Sequence, residues 1–178
     1  MGVLKPKSKV QKLIEDLHAD EMEVRMRAAL ELASMRESAV EPLIEDLKTA
    51  KSIPFKGGSP EALAAIGEPA IEPLVRILKD SESTELARLG TTTAFAKMAD
   101  GASASLIGVL MDKAVEPLIE TLSRGCGGLM FVSVCLALGR IGDSRAIEPM
   151  KMAIEVTKDG WLKGVAREAL EKIQTKQR

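Results

Sequence analysis

The residues best suited to chemistry in this 178-residue chain are one histidine, two cysteines and a short glycine-rich segment. Cys126 lies in that segment, RGCGGLM at 124–130, directly ahead of a predicted helix. Helix N–H groups and the neighbouring Arg124 would lower the pKa of its thiol and favour a nucleophilic thiolate. However, no general base can be identified beside it, and glycines also suit a tight turn between helices. The sequence favours the structural turn and predicts no catalytic residue.

His18 is the only histidine in the sequence, which excludes a metalloprotease motif that needs two and leaves little basis for a His-based triad. One histidine and two cysteines are also too few for a disulfide framework or a closed structural zinc site. We predict an exposed His18 at the end of the first helix, Cys135 as a core residue, and neither metal nor cofactor. Such sparse cysteines fit a reducing, cytoplasmic setting.

A third candidate site is the segment TAKSIPFKGGSP at 49–60, which places Lys51, Lys56, Gly57 and Gly58 ahead of a helix start. A helix N-terminus with free N–H groups can hold a phosphate. The spacing of a phosphate-binding P-loop is missing, however. We therefore interpret this segment as a long connection between helices.

The composition argues against nucleic acids and membranes as partners. Lysine and arginine number 25 against 26 acidic residues, so the net charge is −1 and gives no general attraction to polyanions. Three phenylalanines, one tryptophan and no tyrosine leave little for stacking bases. The longest nearly apolar run, 129–138, is half of the roughly 20 residues that a membrane span needs. No apolar segment follows the charged N-terminus as in a signal peptide. We predict a soluble protein.

The elements that must position these residues are indicated by a recurring nonapeptide. Its copies are KVQKLIEDL at 9–17, AVEPLIEDL at 39–47, AIEPLVRIL at 70–78, AVEPLIETL at 114–122 and AIEPMKMAI at 146–154. In AVEPLIEDL the apolar residues follow the i, i+3, i+4, i+7 pattern of one helix face. Proline is tolerated in the first turn of a helix. Each copy is therefore predicted to open a helix.

Serine residues ahead of three helices suggest N-terminal caps. Ser8 with Gln11 and Ser38 with Glu41 have the spacing of a capping box, in which each side chain accepts from a backbone N–H of the other residue. Ser59 is predicted to cap a helix of about two turns in which Pro60 is the first residue.

The copies of the nonapeptide start 30, 31, 44 and 32 residues apart, a spacing typical of stacked helical hairpins. Alanine-rich second helices are predicted at 23–35, 85–98, 131–143 and 162–173, with the short helix after Ser59 as the fifth. The sequence thus predicts an all-α solenoid of about five hairpins, in one domain spanning 1–178. The predicted repeats are about 9–37, 38–68, 69–112, 113–143 and 144–176.

The longest step reflects an insertion at 101–112, GASASLIGVLMD, within the third repeat. Its apolar residues predict a short helix capped by Ser103 or Ser105. Two placements within the chain are open: the helix folds over the groove formed by the second helices, or it extends the core locally. A role as a dimerisation hook is open as well.

The segments VRMRAALELASM at 24–35 and LALGRIGDSRAIEPM at 136–150 resemble the short HEAT-like repeats of the phycobilin-lyase type, and the resemblance covers almost the whole chain. That pattern has an Asp before the second helix, a Val-Arg pair at its start and a Gly-Asp turn after it. The matching residues are Asp20, Val24, Arg25, Gly142 and Asp143; Arg88 fits in repeat three, while Thr84, Gly127 and Phe131 depart from the pattern. The resemblance implies a helical solenoid. As an alternative function it implies a lyase or carrier of a linear tetrapyrrole that involves Cys126 or the apolar groove.

The second helices, aligned on this pattern, indicate where a partner would bind. Positions that such repeats leave to solvent on the concave side are apolar here at Met26, Leu30, Leu89, Val132, Leu136 and Val165, with Arg27 and Arg140 beside them. An exposed apolar patch on a soluble protein usually marks an interface. The sequence therefore predicts a non-enzymatic scaffold that binds another protein, or a second copy of itself, through this face.

Overall fold

The protein is an all-α solenoid with two layers of helices. The computed structural model describes residues 8–51 and 58–177. The first helices of the five hairpins are α1 Lys9–Asp16, α3 Glu37–Lys48, α5 Glu68–Lys79, α8 Val115–Ser123 and α10 Ile147–Val156. The second helices are α2 Met22–Ser34, α4 Ser59–Ile66, α6 Glu85–Met98, α9 Gly128–Ile141 and α11 Gly160–Lys176. Each helix packs against its counterpart in the next hairpin, which confirms the predicted solenoid.

A continuous apolar core lies between the two layers, from the first hairpin to the last. Leu32 in α2, Leu74 in α5 and Leu118 in α8 are among its fully buried side chains. Cys135 is also fully buried, in agreement with its prediction as a core residue. Because the walls of this core come from successive hairpins, no single hairpin could bury its own apolar side chains.

The nonapeptide lies in the first helix of every hairpin, but it opens the helix in only some of them. Pro117 and Pro149 are the third residues of α8 and α10, where a proline is well tolerated. In α3 and α5 the helix begins two residues before the nonapeptide, so that Pro42 and Pro73 are sixth residues. The prediction that each copy opens a helix was therefore wrong for these two hairpins.

The earlier start of α3 and α5 comes from the residue that precedes each helix. Arg36 and Gly67 have positive φ values of 51° and 81°, so the chain reverses sharply there. Ala39 and Ala70 then donate to the carbonyl oxygens of Arg36 and Gly67 at 3.0 and 2.9 Å. Because of this tight first turn, each helix begins two residues before the nonapeptide, which hydrophobic periodicity does not reveal.

Of the serine caps predicted for the repeat helices, at Ser8, Ser38 and Ser59, only the first forms as expected. Ser8 and Gln11 make the capping box, with bonds of 2.9 and 3.2 Å. Ser38 instead donates to the carbonyl of Met35, and Arg36 is the N-cap of α3. Ser59 lies inside α4, which Gly58 caps, although α4 has the predicted length of about two turns. Spacing alone did not locate the helix boundary on which a cap depends.

The insertion forms a helix, α7 Ala104–Lys113, which Ser103 caps by accepting from the N–H of Leu106 at 3.3 Å. It packs against α5, α8 and α9, with Leu110 fully buried. Lys113 Nζ lies 2.8 Å from Glu72 Oε1 on α5. Of the two placements open from the sequence, α7 therefore takes the one that extends the core, next to the first helices.

Arginines at the fourth position of two second helices hold the turn that precedes each helix. Arg25 Nη1 donates to the carbonyls of Ala19 and Asp20 at 2.7 and 2.6 Å. Arg88 Nη2 donates in the same way to the carbonyls before α6. In α9 the fourth residue is Phe131, which is buried in the core. In the fourth hairpin, apolar packing of Phe131 thus takes the place of the arginine hydrogen bonds. This is also where the sequence departs from the repeat pattern.

Candidate functional site

Cys126 does not have the surroundings of a nucleophile. It is half-buried and packs against the core, and burial raises the pKa of its thiol to about 11. Burial likewise raises the pKa of Cys135 to about 12. Arg124, the cation expected to favour the thiolate, is 3.1 Å from Glu120 Oε2. At neutral pH both cysteines are thiols, which favours the turn interpretation and argues against Cys126 as a tetrapyrrole attachment point.

His18 is exposed after α1, as predicted, and it takes part in a small polar cluster. Its Nε2 lies 2.7 Å from Asp46 Oδ1, and Ser59 donates from Oγ to Asp46 Oδ2 at 2.5 Å. In a catalytic triad the imidazole stands between the hydroxyl and the carboxylate, because it must accept the hydroxyl proton. Here the carboxylate is in the middle. The cluster ties α1, α3 and α4 together and does not activate Ser59.

The metal and phosphate alternatives can be compared with the structure only in part. Within 8–51 and 58–177, no group of three or more His, Cys, Asp or Glu side chains could hold a metal ion. Lys56 and Gly57 of the segment 49–60 lie outside the described residues, so its phosphate interpretation rests on the sequence alone. In the same ranges, no helix has both the length and the apolar character to cross a membrane.

The exposed side of α6, α9 and α11 carries a strip of apolar side chains. The second residue of each helix contributes one: Leu86 is half-buried, Leu129 is 52% exposed and Trp161 is 63% exposed. Three half-buried residues one or two turns further along complete it. The apolar strip is defined here as Leu86, Leu129, Val132, Leu136, Trp161 and Val165. No described residue covers Leu129 or Trp161.

The seam between α6 and α9 changes character along its length. At the N-terminal ends of the helices, Leu86 and Leu129 help to line a cleft of about 420 Å³. In the middle, the hydroxyls of Thr93 and Ser133 lie 3.3 Å apart. At the C-terminal ends, Arg140 Nη1 donates to the carbonyl of Ala96 at 2.7 Å. The face is thus apolar at one edge and cationic at the other.

The cationic edge consists of the thirteenth residues of the same helices, each paired with a carboxylate. Lys97 Nζ lies 2.9 Å from Glu61 Oε1, and Lys172 Nζ lies 2.7 Å from Glu168 Oε1. Arg140 Nε lies 3.4 Å from Asp100 Oδ1. These pairs are partly exposed, so each contributes little to stability. They do cancel the charge of the edge.

The second helix of the first hairpin carries a separate apolar stripe. Met22, Met26 and Leu30 are exposed at i, i+4 and i+8 on α2, and Arg27 is exposed beside them. Helix α4, the next in the layer, has only 8 residues against 13 in α2. Met26, Leu30 and Arg27 therefore lie on the predicted face, though away from the apolar strip on α6, α9 and α11.

One residue of the predicted face is not available to a partner. Leu89 is only 8% exposed and belongs to the core, because α9 packs on that side of α6. The expectation that its side chain is left to solvent was wrong. Val132, Leu136, Val165 and Arg140 are half-buried at the edge of the face.

Sequence reasoning missed Leu86, Leu129 and Trp161, which are central to the strip. The predicted second helices began at 131 and 162, whereas α9 begins at Gly128 and α11 at Gly160. Leu129 and Trp161 therefore lie just outside the predicted helices. A glycine at the first helical position hid the start of both helices, since glycine does not favour a helix. The shared second position of Leu86, Leu129 and Trp161 is the signal that could have found them.

No protein-family model matches the sequence, and no curated protein matches it either. Among solved structures, the fold is similar to engineered repeat proteins. One is an engineered protein of the Northeast Structural Genomics Consortium, with a TM-score of 0.59 and 24% identity over 92% of this chain and 80% of that one. Another is a computationally designed armadillo repeat protein for modular peptide recognition (TM-score 0.56, 18% identity, 90% and 80% covered). A third is a designed armadillo repeat protein in complex with the peptide (KR)4 (0.55, 19%, 90% and 80%). At these identities the similarity shows the helical repeat fold, and the phycobilin-lyase subtype stays a prediction.

Proposed function

We propose that the protein is a non-enzymatic scaffold that binds a segment of another protein on the exposed side of its second helices. The observation that carries the proposal is the apolar strip, in which Leu129 and Trp161 are more than half exposed. Exposed apolar side chains in one contiguous patch usually mark an interface on a soluble protein. Met26, Leu30, Arg27 and Arg140 are proposed as flanking contacts on the same layer.

The chemistry of the described residues supports a binding role over catalysis. Both cysteines are held as thiols, and the carboxylate of Asp46 separates Ser59 from His18. The fold offers instead a row of stacked helices whose exposed positions vary from repeat to repeat. Two of the similar engineered proteins are, by their descriptions, built for or bound to peptides. A peptide segment is therefore the proposed ligand.

Affinity capture with matched variants tests this proposal. The tagged protein is used to capture partners from extract of its own cells, beside the double variant Leu129→Asp, Trp161→Asp. The control is Met152→Asp, Val156→Asp on α10, whose side chains are 64% and 77% exposed on a first helix. Both variants replace two exposed apolar residues with two carboxylates. The same charge change is therefore made once in each layer.

We expect a partner to be retained by the wild type and the control and lost by the strip variant. All three proteins should show the same circular dichroism and melting temperature, since exposed substitutions usually change stability by less than about 0.5 kcal/mol. If the strip variant captures the same proteins as the wild type, the apolar strip is not the binding site and the proposal fails.

A further inference from the structure

We infer that the partner segment is an amphipathic helix whose contacting side is apolar and uncharged, lying across α6, α9 and α11. This inference rests on the proposed function, because it specifies what binds to the apolar strip. Charge, backbone hydrogen bonding and dimensions each point to this class of ligand.

The charged groups around the strip nearly balance one another, which favours neither a basic nor an acidic peptide. Lys97, Arg140 and Lys172 form one edge, and Glu61, Asp100 and Glu168 neutralise them one by one. Glu85, at the other edge, shares a cleft with two arginines, Arg88 and Arg124. A peptide of either sign would be attracted to some of these five cations and four carboxylates and repelled by the others. The face therefore selects for an uncharged contact surface.

The hydrogen-bonding groups on the face favour a helix over an extended chain. An extended peptide exposes backbone N–H and C=O groups, which need partners when they are desolvated. Along the α6–α9 seam the polar side chains are already engaged, since Thr93 bonds to Ser133 and Arg140 to the carbonyl of Ala96. A helix satisfies its own backbone bonds and presents only side chains. It can thus bury an apolar side on this strip without leaving backbone groups unpaired.

The dimensions of the strip fit one helix. The face is about 16 Å wide between its two edges, the distance from residue 2 to residue 13 of a second helix at a rise of 1.5 Å per residue. This width accommodates a ligand helix about 10 Å in diameter. Neighbouring helices pack roughly 8–10 Å apart, so that three of them span about 20 Å. A helix of about 14 residues covers that distance. Such a helix would contact the apolar edge at Leu129 and Trp161 and keep its polar side in solvent.

Selection from a display library of random peptides of about 16 residues, long enough for the strip, tests the inference. The full-length protein is the bait, and Leu129→Asp, Trp161→Asp is the counter-selection. Selections run in parallel at about 50 mM and about 500 mM salt, where the Debye length falls from about 14 to about 4 Å. Individual peptides are then synthesised, and their dissociation constants and circular dichroism are measured with the bait and both double variants.

We expect enriched peptides with apolar residues at i, i+3 and i+4 and a net charge near zero. Their affinity should change by less than about twofold between the two salt concentrations, and helicity should rise on binding. The strip variant should lose at least about tenfold in affinity, while Met152→Asp, Val156→Asp should bind normally.

Other results would overturn the inference in distinguishable ways. Enrichment of charged or extended peptides that still need Leu129 and Trp161 refutes the uncharged helix but keeps the proposed function. Self-association of the bait that the strip variant abolishes identifies a second copy as the occupant and refutes a separate partner. If no peptide is enriched, or if enrichment is the same on the strip variant, the proposed function fails together with the inference.

Discussion

The two layers of the solenoid treat their exposed sides differently. On the first helices, the glutamate of the nonapeptide pairs with a cation of a following element: Glu41 with Arg76 at 3.0 Å, Glu72 with Lys113 at 2.8 Å and Glu116 with Arg145 at 3.0 Å. On the second helices α6, α9 and α11, apolar side chains lie at one edge, and cations paired with carboxylates lie at the other. In three copies the nonapeptide glutamate thus contacts a following element, whereas the exposed positions of the second helices vary.

This contrast assigns a different physical role to each layer. Polar pairs between a first helix and a following element discourage alternative packing arrangements, even though each pair contributes little energy. The inserted helix α7 adds apolar burial on the same side through Leu110. In the second layer, no residue within 8–51 or 58–177 covers Leu129 and Trp161 in a comparable way. The exposed side of the first layer is thus taken up by contacts between elements, and ligand binding is expected on the exposed side of the second layer.

The largest effect is expected from a truncation in α7. Leu110→Ala should lower the free energy of unfolding by about 2–5 kcal/mol, because it leaves a cavity beneath a fully buried side chain. Leu129→Ala, the same change on the open face, should cost less than about 0.5 kcal/mol. Urea denaturation of both variants measures the two changes in the free energy of unfolding. If both variants lose the same free energy of unfolding, the two sides of the solenoid do not differ in how deeply these leucines are buried.

An intermediate effect is expected from Asp143, which accepts from the Arg145 side chain and its N–H and helps to anchor the start of α10. The hydrogen bonds to Arg145 hold the pKa of this carboxyl below its ordinary value. A lowered folded-state pKa adds stability that is present above the unfolded-state pKa and lost as the pH falls through the folded-state pKa. Asp143→Asn should therefore cost about 1–3 kcal/mol at neutral pH.

The difference between the wild type and Asp143→Asn should narrow as the pH falls from about 4, the unfolded-state pKa, and should reach its minimum below the lowered folded-state pKa of Asp143. Chemical denaturation at a series of pH values from neutral to about 2 measures it. A difference that is constant over this range would mean that the charge of Asp143 does not contribute, and that its role is purely geometric.

The smallest effect is expected from a single ion pair of the first layer. Glu41→Gln or Arg76→Gln should change the free energy of unfolding by no more than about 1 kcal/mol, because both side chains are largely exposed. The coupling energy from the double-mutant cycle should be smaller still and should decrease with added salt. A coupling above about 2 kcal/mol would mean that the first layer is held by charge rather than by its apolar core.

Local patterns predicted most of the architecture. The i, i+3, i+4, i+7 spacing located all five first helices, and the repeat spacing predicted the hairpins. Ser8 and Gln11 formed their capping box because both partners lie within one turn. Ser38 and Glu41 have the same spacing but did not, because Arg36 starts the helix earlier. Glu41 instead contacts Arg76, 35 residues away, a pairing that spacing within one repeat does not indicate.

The sequence by itself determined the all-α repeat, the position of each nonapeptide in a first helix and the burial of Cys135. These properties depend on hydrophobic periodicity within about 20 residues, which the sequence displays directly. Only the tertiary structure decided that Leu89 is buried while Leu129 and Trp161 are exposed, and that α7 packs against α5 rather than over the second helices. Exposure is set by which neighbouring hairpin covers a side chain, and that neighbour is distant in the sequence.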